Sequence, residues 1–542
     1  MARKLLLISK NSPMPALEIS RKSVAAGPSL AEAPHSPARV SLDPSDWEAF
    51  REQAHRMLDD MLGYMEDIRE RPVWQVIPDE VRNRFQTSLP SAPSDLAEVH
   101  HEFMTSILPF TAANSHPGFF GWVQGGGSPV GMMAEMLAAG LNANTGGRDQ
   151  IPLEVERQVT GWMRDLFGFP TGASGIFLTG TSMANFVSVV IARDARLGRS
   201  VRSEGVQSHS SKLVAYASSA VHGCVAKALD LAGIGSDALR SIPVDSEYRM
   251  DLEILSSTIA QDRVAGLTPF YVVGSAGTVD TGAIDDLLGL AQFCAKEKLW
   301  FHVDGALGAL AMLSPEIAPR LRGIELADSL AFDFHKWAQV PYDAGFLLVR
   351  DGQRHQQAFA SSATYLGRAD RGLSAGSPWP CDLGPELSRN FRALKVWTAL
   401  KVYGTAAIGT VIANTCNLAQ YLKSRIEATP ELQLMAPVDL NIVCFRYNFS
   451  PAAALLTDMS PGQLSDELNR ELVIRLQESG IAAPSQTILR GRVVIRAAIV
   501  NHRTSSADID VLLAATLSLG QELTPAIPVA NLPNATYPPA WA

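Results

Sequence analysis

The chain has 542 residues, of which 46% are hydrophobic and 19% charged, a composition typical of a soluble globular protein with room for more than one domain. Its formal net charge of -9 and the lack of a Lys/Arg-rich block argue against a generic nucleic-acid binder, and its apolar stretches end well before the ~18 residues that a membrane span needs. Five cysteines without a CxxC pair predict neither a metal site nor a disulfide framework, so we expect a reduced, cytoplasmic protein.

The N-terminal part of the chain predicts an irregular arm followed by helices. Residues 1–40 are rich in Ser, Pro and Ala without a sustained period, which predicts a loose arm. Over residues 41–114, apolar residues recur at helical spacing in LDPSDWEAFREQAHRMLDDMLGYMEDIRER and DLAEVHHEFMTSILPF, with an N-cap expected between Asp43 and Ser45. These helices are too few to form a domain alone, so we expect them to pack on another part of the protein, such as a second subunit.

The middle of the chain, residues 115–395, alternates short β-rich runs with helical patterns. Examples are GIFLTG before SMANFVSVVIARDARLG and KLVAYASS before AVHGCVAKALDLAG. This alternation predicts βαβ units and a mostly parallel sheet covered by helices. Residues 396–520 contain a long helical pattern and then mixed strands and helices, which predicts a smaller α/β domain, and the Pro-rich residues 521–542 are expected to be irregular.

Polar residues follow two strands of the predicted sheet. In FLTGTSMAN, Thr181 and Ser182 come after a strand and a glycine and open a helix, whose free N–H groups and dipole favour a phosphate. Ordinary N-capping is the alternative. In FHVDGALGAL, Asp304 ends an apolar strand, where it either binds a cationic group of a ligand or forms a structural ion pair. Since ligands gather at the carboxyl ends of strands in open α/β sheets, all three are candidate binding residues.

Two further candidates occupy the same kind of position. In SLAFDFHKW, Lys336 follows an apolar run, where a desolvated amine is a good nucleophile toward carbonyls. A lysine at a strand end near solvent is the alternative. His222, in SSAVHGCVAKA, opens a predicted helix, where it either packs or caps, or offers a flat ring for stacking on a planar ligand.

A phosphate site, a stacking ring, a buried acid and a nucleophilic amine together match the needs of pyridoxal 5'-phosphate (PLP). Its phosphate suits a helix N-terminus, and its aldehyde reacts with a lysine. Its ring nitrogen needs a carboxylate that keeps it protonated, so that the ring draws electrons from the substrate. The interval from Asp304 to Lys336, two strand ends with a short helix between them, suits this geometry.

The sequence closely resembles the group II PLP-dependent amino-acid decarboxylases, which include aromatic amino-acid, glutamate and diaminobutyrate enzymes. The resemblance covers about residues 41–520 and rests on SHPGFFGW, GTSMAN, HVDGA, HKW with PYDAG, FRALKVW and VVIRAAIVNHRT. It implies an α/β fold of the aspartate-aminotransferase type (fold type I), with a large mostly parallel-sheet domain, a small C-terminal α/β domain and an N-terminal helical segment. It also implies a homodimer with the active site at the subunit interface, which would account for the helices of residues 41–114.

The resemblance assigns roles to individual residues. It makes Lys336 the lysine that forms a Schiff base with PLP, Asp304 the partner of the ring nitrogen, and His222 the ring-stacking histidine. These three are the expected catalytic residues. Four other positions match the family's PLP contacts, namely Thr181, Ser182, Ser275 and His335. Arg496 matches a small-domain arginine of the family and is a candidate substrate contact.

The implied reaction is α-decarboxylation of an L-amino acid to an amine and CO2. The alternatives are a PLP-dependent aldehyde synthase or carbon–carbon lyase and, more remotely, a non-catalytic PLP-fold binding protein. Well-known members supply a proton from a loop tyrosine, but the corresponding ADRGLSAGSPWPCDLGPELSRNF has none, and only Trp379 and Cys381 lie near that place. His222, Tyr365 and Tyr342 are the candidates to replace it, and a missing donor leaves room for oxygen-dependent aldehyde formation.

The sequence leaves the substrate open. GWVQGGG puts Trp122 and Gln124 where the family has substrate contacts, and NANTGGRDQIP is polar where aromatic-selective members are apolar. Arg148 pairs either with an acidic substrate side chain or with a neighbouring acid such as Asp149. Acidic and aromatic amino acids are both expected candidates, whereas no metal, nucleic acid or membrane partner is expected.

Overall fold

The computed structural model describes residues 41–361, 367–448 and 460–526. The predicted N-terminal arm, most of the predicted C-terminal tail and Tyr365 lie outside the described residues. Contacts divide the chain into two compact units, Met1–His55 and Arg56–Ala542.

The α-helices are α1 Trp47–Glu66, α2 Asp79–Arg84, α3 Leu96–Glu102, α4 Pro129–Leu141, α5 Ile151–Leu166, α6 Thr181–Leu197, α7 Val201–Glu204, α8 Cys224–Leu231, α9 Leu252–Val264, α10 Leu287–Glu297, α11 Phe334–Trp337, α12 Gly352–Phe359, α13 Arg392–Glu427, α14 Pro461–Glu478 and α15 Ser506–Ala526. The strands are β1 Phe119–Phe120, β2 Ser174–Leu178, β3 Leu213–Ser218, β4 Leu239–Ile242, β5 Thr268–Ser275, β6 Trp300–Asp304, β7 Ser329–Asp333, β8 Gly345–Val349, β9 Leu432–Leu434, β10 Ile442–Tyr447, β11 Ala483–Leu489 and β12 Arg492–Ala498.

The N-cap of the first described helix lies one residue later than the sequence predicts. In the Met1–His55 unit, the Asp46 carboxylate accepts hydrogen bonds from the N–H groups of Glu48 and Ala49 at 2.9 and 3.1 Å. Asp46 therefore caps α1, and the prediction of a cap between Asp43 and Ser45 was wrong.

The larger sheet has the strand order β2-β8-β7-β6-β5-β3-β4. Neighbouring strands from β7 to β4 are parallel, whereas β8 runs antiparallel to both of its neighbours. Every residue of β3 and of β8 is buried, as expected for a sheet whose two faces are covered by helices. The predicted α/β fold with a mostly parallel sheet is confirmed.

The smaller sheet has the strand order β1-β11-β12-β10-β9. Apart from the parallel pair of β1 and β11, its strands are antiparallel. Helix α14 packs on β11 and β12, and the sheet has an apolar core of its own. Strand β1 lies in the range predicted for the large domain, yet Phe119 pairs with Ala483 of the smaller sheet. The predicted domain boundaries stay predictions.

Helix α13 is the one helix among the described residues that is long and apolar enough to cross a membrane by length and composition. It is interrupted at Gly404, whose φ of 74° and ψ of 159° are not helical. Its buried Lys395 pairs with Glu135 of α4 at 2.5 Å, and the helix packs on α4, α5 and β10. The helix therefore packs along one side on these elements, although only 28% of its most apolar stretch is buried.

The carboxyl ends of β5, β6 and β7 lie side by side at one edge of the larger sheet. Ser275 at the end of β5 is in register with Asp304 at the end of β6, and Asp333 ends β7. The turn from β2 into α6 lies at the same edge, because the backbone of Gly180 packs directly on Gly345 at the start of β8. A side chain on Gly345 would overlap the Gly180 backbone, so this close approach requires glycine.

We expect Gly345→Ala to destabilise the protein by ~1–3 kcal/mol, because the added methyl group must push the β2–α6 turn away from β8. Gly161→Ala is the matched control, since nothing lies within 4 Å of a Cβ there and alanine in a helix interior is favoured by up to ~1 kcal/mol. Thermal and urea unfolding measure both variants. Equal stability of the two variants would contradict the close contact.

Candidate active site

A cavity of about 480 Å³ opens between the edge of the larger sheet and the smaller sheet. Its walls combine residues from strand ends of the larger sheet with Ser485 and Arg496 of the smaller one. The size lies within the usual range for small-molecule sites. Of the predicted site residues, those on its wall are Thr181, Ser182, His222, Ser275, Asp304, His335, Lys336, Trp122, Gln124 and Arg496.

The N-terminus of α6 points into this cavity. The preceding residue, Gly180, offers no side-chain cap, and the Thr181 N–H donates to the Asp333 carboxylate at 2.8 Å. The Thr181 hydroxyl oxygen is buried and has no hydrogen-bond partner among the described residues. A buried hydroxyl without a partner is costly, so a bound anion such as a phosphate would satisfy it.

Lys336 lies on the short helix α11, immediately after β7. Its Nζ pairs with the Asp333 carboxylate at 2.9 Å, and its side chain retains 20% exposure toward the cavity. The amine is therefore held in place yet remains within reach of a ligand. The two oxygens of Asp333 thus bind the α6 N-terminus and Lys336.

Asp304 is buried at the end of β6, with one edge of its carboxylate toward the cavity. It accepts the Asn185 side-chain N–H at 2.9 Å and the Ala306 N–H at 3.1 Å. No cationic side chain pairs with it among the described residues, so the structural ion pair considered from the sequence is not present. Ser275 lies beside it, and its N–H donates to Asp285, whose pKa is raised to about 6 by burial.

The two predicted histidines have different surroundings. His222 is exposed on the cavity wall, and its Nδ1 accepts the Cys224 N–H at the start of α8 at 3.1 Å, so it caps this helix while its ring borders the cavity. His335 is buried, and its Nδ1 accepts the Ala344 N–H at 3.0 Å. Burial lowers the pKa of His335, and its ring packs against Tyr342 with the ring centroids 4.3 Å apart.

The wall that carries Trp122 and Gln124 is anchored on the Lys336 turn. Gly125 packs so closely on the backbone carbonyls of His335 and Lys336 that a side chain there would overlap them. The Gly126 N–H donates to the Gln339 side chain at 2.9 Å. The two predicted substrate residues therefore have a fixed position relative to the lysine.

The arginines considered for substrate binding are both engaged by other groups. Arg496 lines the cavity, but each of its nitrogens already donates to a carbonyl or hydroxyl, including the carbonyl oxygens of Val279 and Trp122. The guanidinium of Arg148 lies over the Trp379 ring, 4.9 Å from its centroid, and is not on the cavity wall. Neither reading of Arg148 from the sequence anticipated this stacking.

The residues near the place of the family's loop tyrosine do not reach the cavity. Trp379 is buried between Arg148 and Arg368, and its ring N–H donates to the Ala375 carbonyl at 2.8 Å. Trp379 and Cys381 are both absent from the part of the cavity wall that the structure describes. Tyr342 does line the cavity.

Sequence reasoning missed Asp333 and Asn185. Asp333 ends an apolar strand three residues before Lys336, which is the same signal that identified Asp304. Asn185 ends the GTSMAN motif four residues after Thr181, so both lie on one face of α6. That spacing was the available signal for Asn185.

These residues fit PLP. The orphan hydroxyl of Thr181 and the α6 N-terminus suit its phosphate, Lys336 suits its aldehyde, and Asp304 suits its ring nitrogen. The donor set lies around one cavity of suitable size, so binding requires no rearrangement of the sheet.

Comparison with known proteins gives the same assignment. The family model described as the pyridoxal-dependent decarboxylase conserved domain matches residues 78–448. The chain is 31% identical to an aromatic-L-amino-acid decarboxylase of Bacillus atrophaeus over 89% of its length and 97% of that protein. It is 30% identical to a phenylacetaldehyde synthase of Arabidopsis thaliana over 84% of its length and 93% of that protein.

A solved structure shares the fold. The crystal structure of Oryza sativa TDC with PLP and tryptamine has a TM-score of 0.80 and 26% sequence identity, covering 89% of this chain and 100% of that chain. Together with the match over most of the sequence, these findings show that the chain belongs to the family of pyridoxal-dependent decarboxylases.

Proposed function

We propose that this PLP-dependent enzyme removes the α-carboxylate of an aromatic L-amino acid as CO2 and releases the corresponding amine. The observation that carries the proposal is the convergence of Lys336, Asp304, His222 and the Thr181 turn on one cavity. Membership of a decarboxylase family supports the same reaction class.

Each of these residues has a task that its position supports. When bound, PLP supplies an aldehyde for the substrate amine and a protonated ring that accepts the electron pair of the bond to the leaving carboxylate. Thr181 and the α6 N-terminus would bind the phosphate, and Asp304 would hold the ring nitrogen. Lys336 would hold the cofactor between turnovers, and His222 would offer its ring for stacking.

Tyr342 is our candidate for the group that returns a proton to the substrate carbon. Its side chain lines the cavity together with Lys336. Burial, and to a lesser extent the charge of Asp333, raises the pKa of Tyr342 to about 12. The hydroxyl is therefore protonated at neutral pH, and as a weak acid it would give its proton only to a strongly basic carbon. Tyr365, the other tyrosine considered, lies outside the described residues.

An aromatic substrate is favoured over an acidic one. Trp122 is 58% exposed and Tyr342 50% exposed on the cavity wall, so apolar ring surface is available for an aromatic side chain. The guanidinium groups of Arg148 and Arg496 are engaged by Trp379 and by backbone carbonyls. The relatives named as aromatic-L-amino-acid, tyrosine and tryptophan decarboxylases support this choice.

A homodimer is the proposed assembly, as the family resemblance implies. Leu137 and Leu141 on α4 are 56% and 63% exposed, and Leu89 is 92% exposed. Leu137 and Leu141 lie about one turn apart on α4, and apolar side chains exposed to this degree are typical of surfaces covered by a partner. A second copy of the chain is the partner proposed here.

The reaction is tested with purified protein supplied with PLP and a panel of proteinogenic and diamino acids. We expect amine and CO2 in equal amounts with an aromatic amino acid, and at least ~10-fold lower kcat/KM with glutamate or aspartate, since on the described part of the cavity wall the one arginine, Arg496, is already engaged. Lys336→Ala should lose the visible absorbance of bound cofactor and nearly all turnover, because its amine is the one positioned for the aldehyde.

Other results of this assay would exclude the proposal. Preference for an acidic substrate would refute the aromatic assignment. Protein that binds PLP but converts no amino acid would favour a non-catalytic binding protein, and cleavage of a carbon–carbon bond other than that to the carboxylate would favour a lyase.

An aldehyde synthase is the second candidate, because two relatives are phenylacetaldehyde synthases and residues 369–391 contain no tyrosine. That reaction consumes one amino acid, O2 and water and yields aldehyde, CO2, ammonia and hydrogen peroxide. Equal amounts of peroxide and aldehyde from the wild-type protein would establish it in place of amine formation.

Tyr342→Phe tests the proton donor directly. Loss of a general acid lowers amine formation roughly 100-fold or more, and we expect aldehyde and peroxide to rise as a share of the products. Cofactor binding should be unchanged, since the ring against His335 remains. Amine formation at the wild-type rate in this variant would exclude Tyr342 as the donor.

The dimer is tested with Leu137→Glu combined with Leu141→Glu, measured by sedimentation velocity. We expect the wild-type protein at twice the subunit mass and the double variant as a monomer with little activity, because two carboxylates would be buried without partners. Val264→Glu is the control, since this isolated apolar residue at the end of α9 is 91% exposed. A wild-type monomer would contradict the proposal.

A further inference from the structure

A chain of buried polar side chains leads from Asp304 into the core. Asn185 and Ser188 on α6, His302 on β6 and Ser329 on β7 are each fully buried. The cavity wall includes none of these four among the described residues. Such groups are costly to bury, and each one here is hydrogen-bonded to the next.

Asn185 has a defined orientation in this chain. Its Nδ2 lies 2.9 Å from the Asp304 carboxylate, which accepts hydrogen bonds, so the amide must present its N–H there. The opposite end, Oδ1, then faces His302 Nε2 at 2.8 Å. An amide oxygen only accepts, so His302 Nε2 must carry a proton.

The proton on Nε2 determines the state of the other ring nitrogen. Burial lowers the pKa of His302 to about 3, so the ring is neutral and carries one proton. Nδ1 is therefore an acceptor, and it lies 2.8 Å from the Ser329 hydroxyl and 3.1 Å from that of Ser188. The histidine is thus fixed as one tautomer by its neighbours on both sides.

The side chains at the far end of this hydrogen-bonded series can also donate toward Asp304. The Trp300 ring N–H donates to the Ser329 oxygen at 2.8 Å. Ser188 lies 2.8 Å from Ser329 and 3.0 Å from the Tyr271 hydroxyl. Tyr271 can donate to Ser188, Ser188 to Ser329, and Ser329 to His302. In every one of these hydrogen bonds, the donated hydrogen then points toward the Asp304 end of the series.

We propose that Asn185 and His302 are positioning residues that orient the Asp304 carboxylate toward the ring nitrogen of PLP. A carboxylate that receives a directed N–H bond is stabilised in its charged form, and aligned hydrogen bonds strengthen one another. The ionised carboxylate in turn keeps the ring nitrogen protonated. The substrate of the enzyme does not enter this inference, which rests only on the PLP site.

The test uses holoenzyme reconstituted with PLP labelled with ¹⁵N at the ring nitrogen. In the wild-type protein the NMR signal should lie at the protonated-pyridine position. In Asn185→Leu and His302→Leu it should move toward the unprotonated position, and the Kd for PLP should rise about 10- to 100-fold, as expected for the loss of a hydrogen bond to a charged group. His302→Gln retains an N–H donor, so its ¹⁵N signal and its Kd for PLP should stay close to the wild-type values.

Asn469→Leu is the matched control. Asn469 is a fully buried asparagine of α14 that hydrogen-bonds the Tyr447 backbone, and it has no connection to Asp304. This variant should lose stability while the ¹⁵N signal and the Kd stay at wild-type values. If Asn185→Leu behaves as Asn469→Leu does in both measurements, the inference is wrong.

A measurement on the wild-type protein covers the case in which a buried variant fails to fold. With ¹⁵N-labelled histidine, His302 should appear as a neutral ring protonated at Nε2, assigned by the loss of its signal in His302→Gln or, failing that, by its through-space contact with Ser329. A proton on Nδ1 would reverse the chain and overturn the inference. Wild-type protein that binds no PLP would instead overturn the cofactor site itself.

Discussion

The carboxylate of Asp333 joins the two parts of the site that have to stay in register. One oxygen accepts the N–H at the start of α6, and the other pairs with Lys336. The turn proposed to bind the phosphate and the lysine proposed to react with the aldehyde follow strands β2 and β7, which are separated in the sheet by β8. Glycine at 345 allows the turn to come close enough for the contact, because a side chain there would overlap the Gly180 backbone. The rest of the cofactor site is built on the strand ends beside this junction.

Both sheets contribute side chains to the wall of the cavity. The larger sheet contributes the groups around the cofactor, because the carboxyl ends of its parallel strands place polar residues side by side. The smaller sheet and the segment containing Trp122 close the opposite wall. Arg496 binds these parts together by donating from the smaller sheet to carbonyls of residues 122 and 279, which explains why a buried guanidinium is tolerated there.

The sequence predicts the cofactor half of the site better than the substrate half. Thr181, Asp304 and Lys336 each follow an apolar strand, so their position at one edge can be derived from strand order and chemistry alone. Asn185 and His302 are 117 positions apart, so no local pattern predicts that they meet, although Asn185 shares a face of α6 with Thr181. Arg148 illustrates the reverse problem: its charge suggests a carboxylate partner, but the indole of Trp379 is its neighbour. Partners that are brought together only by tertiary packing leave no local pattern.

The close contact of Gly125 with the Lys336 turn has a consequence for engineering the enzyme. The side chains of Trp122 and Gln124 face the cavity. In contrast, Gly125 packs against the backbone of residues 335–336, and Gly126 packs against the side chain of Asn501. A library that varies residues 122 and 124 can therefore reshape the pocket while the reactive amine keeps its place. A substitution at Gly125 would push on the backbone of the lysine turn, whereas one at Gly126 would displace the Asn501 side chain.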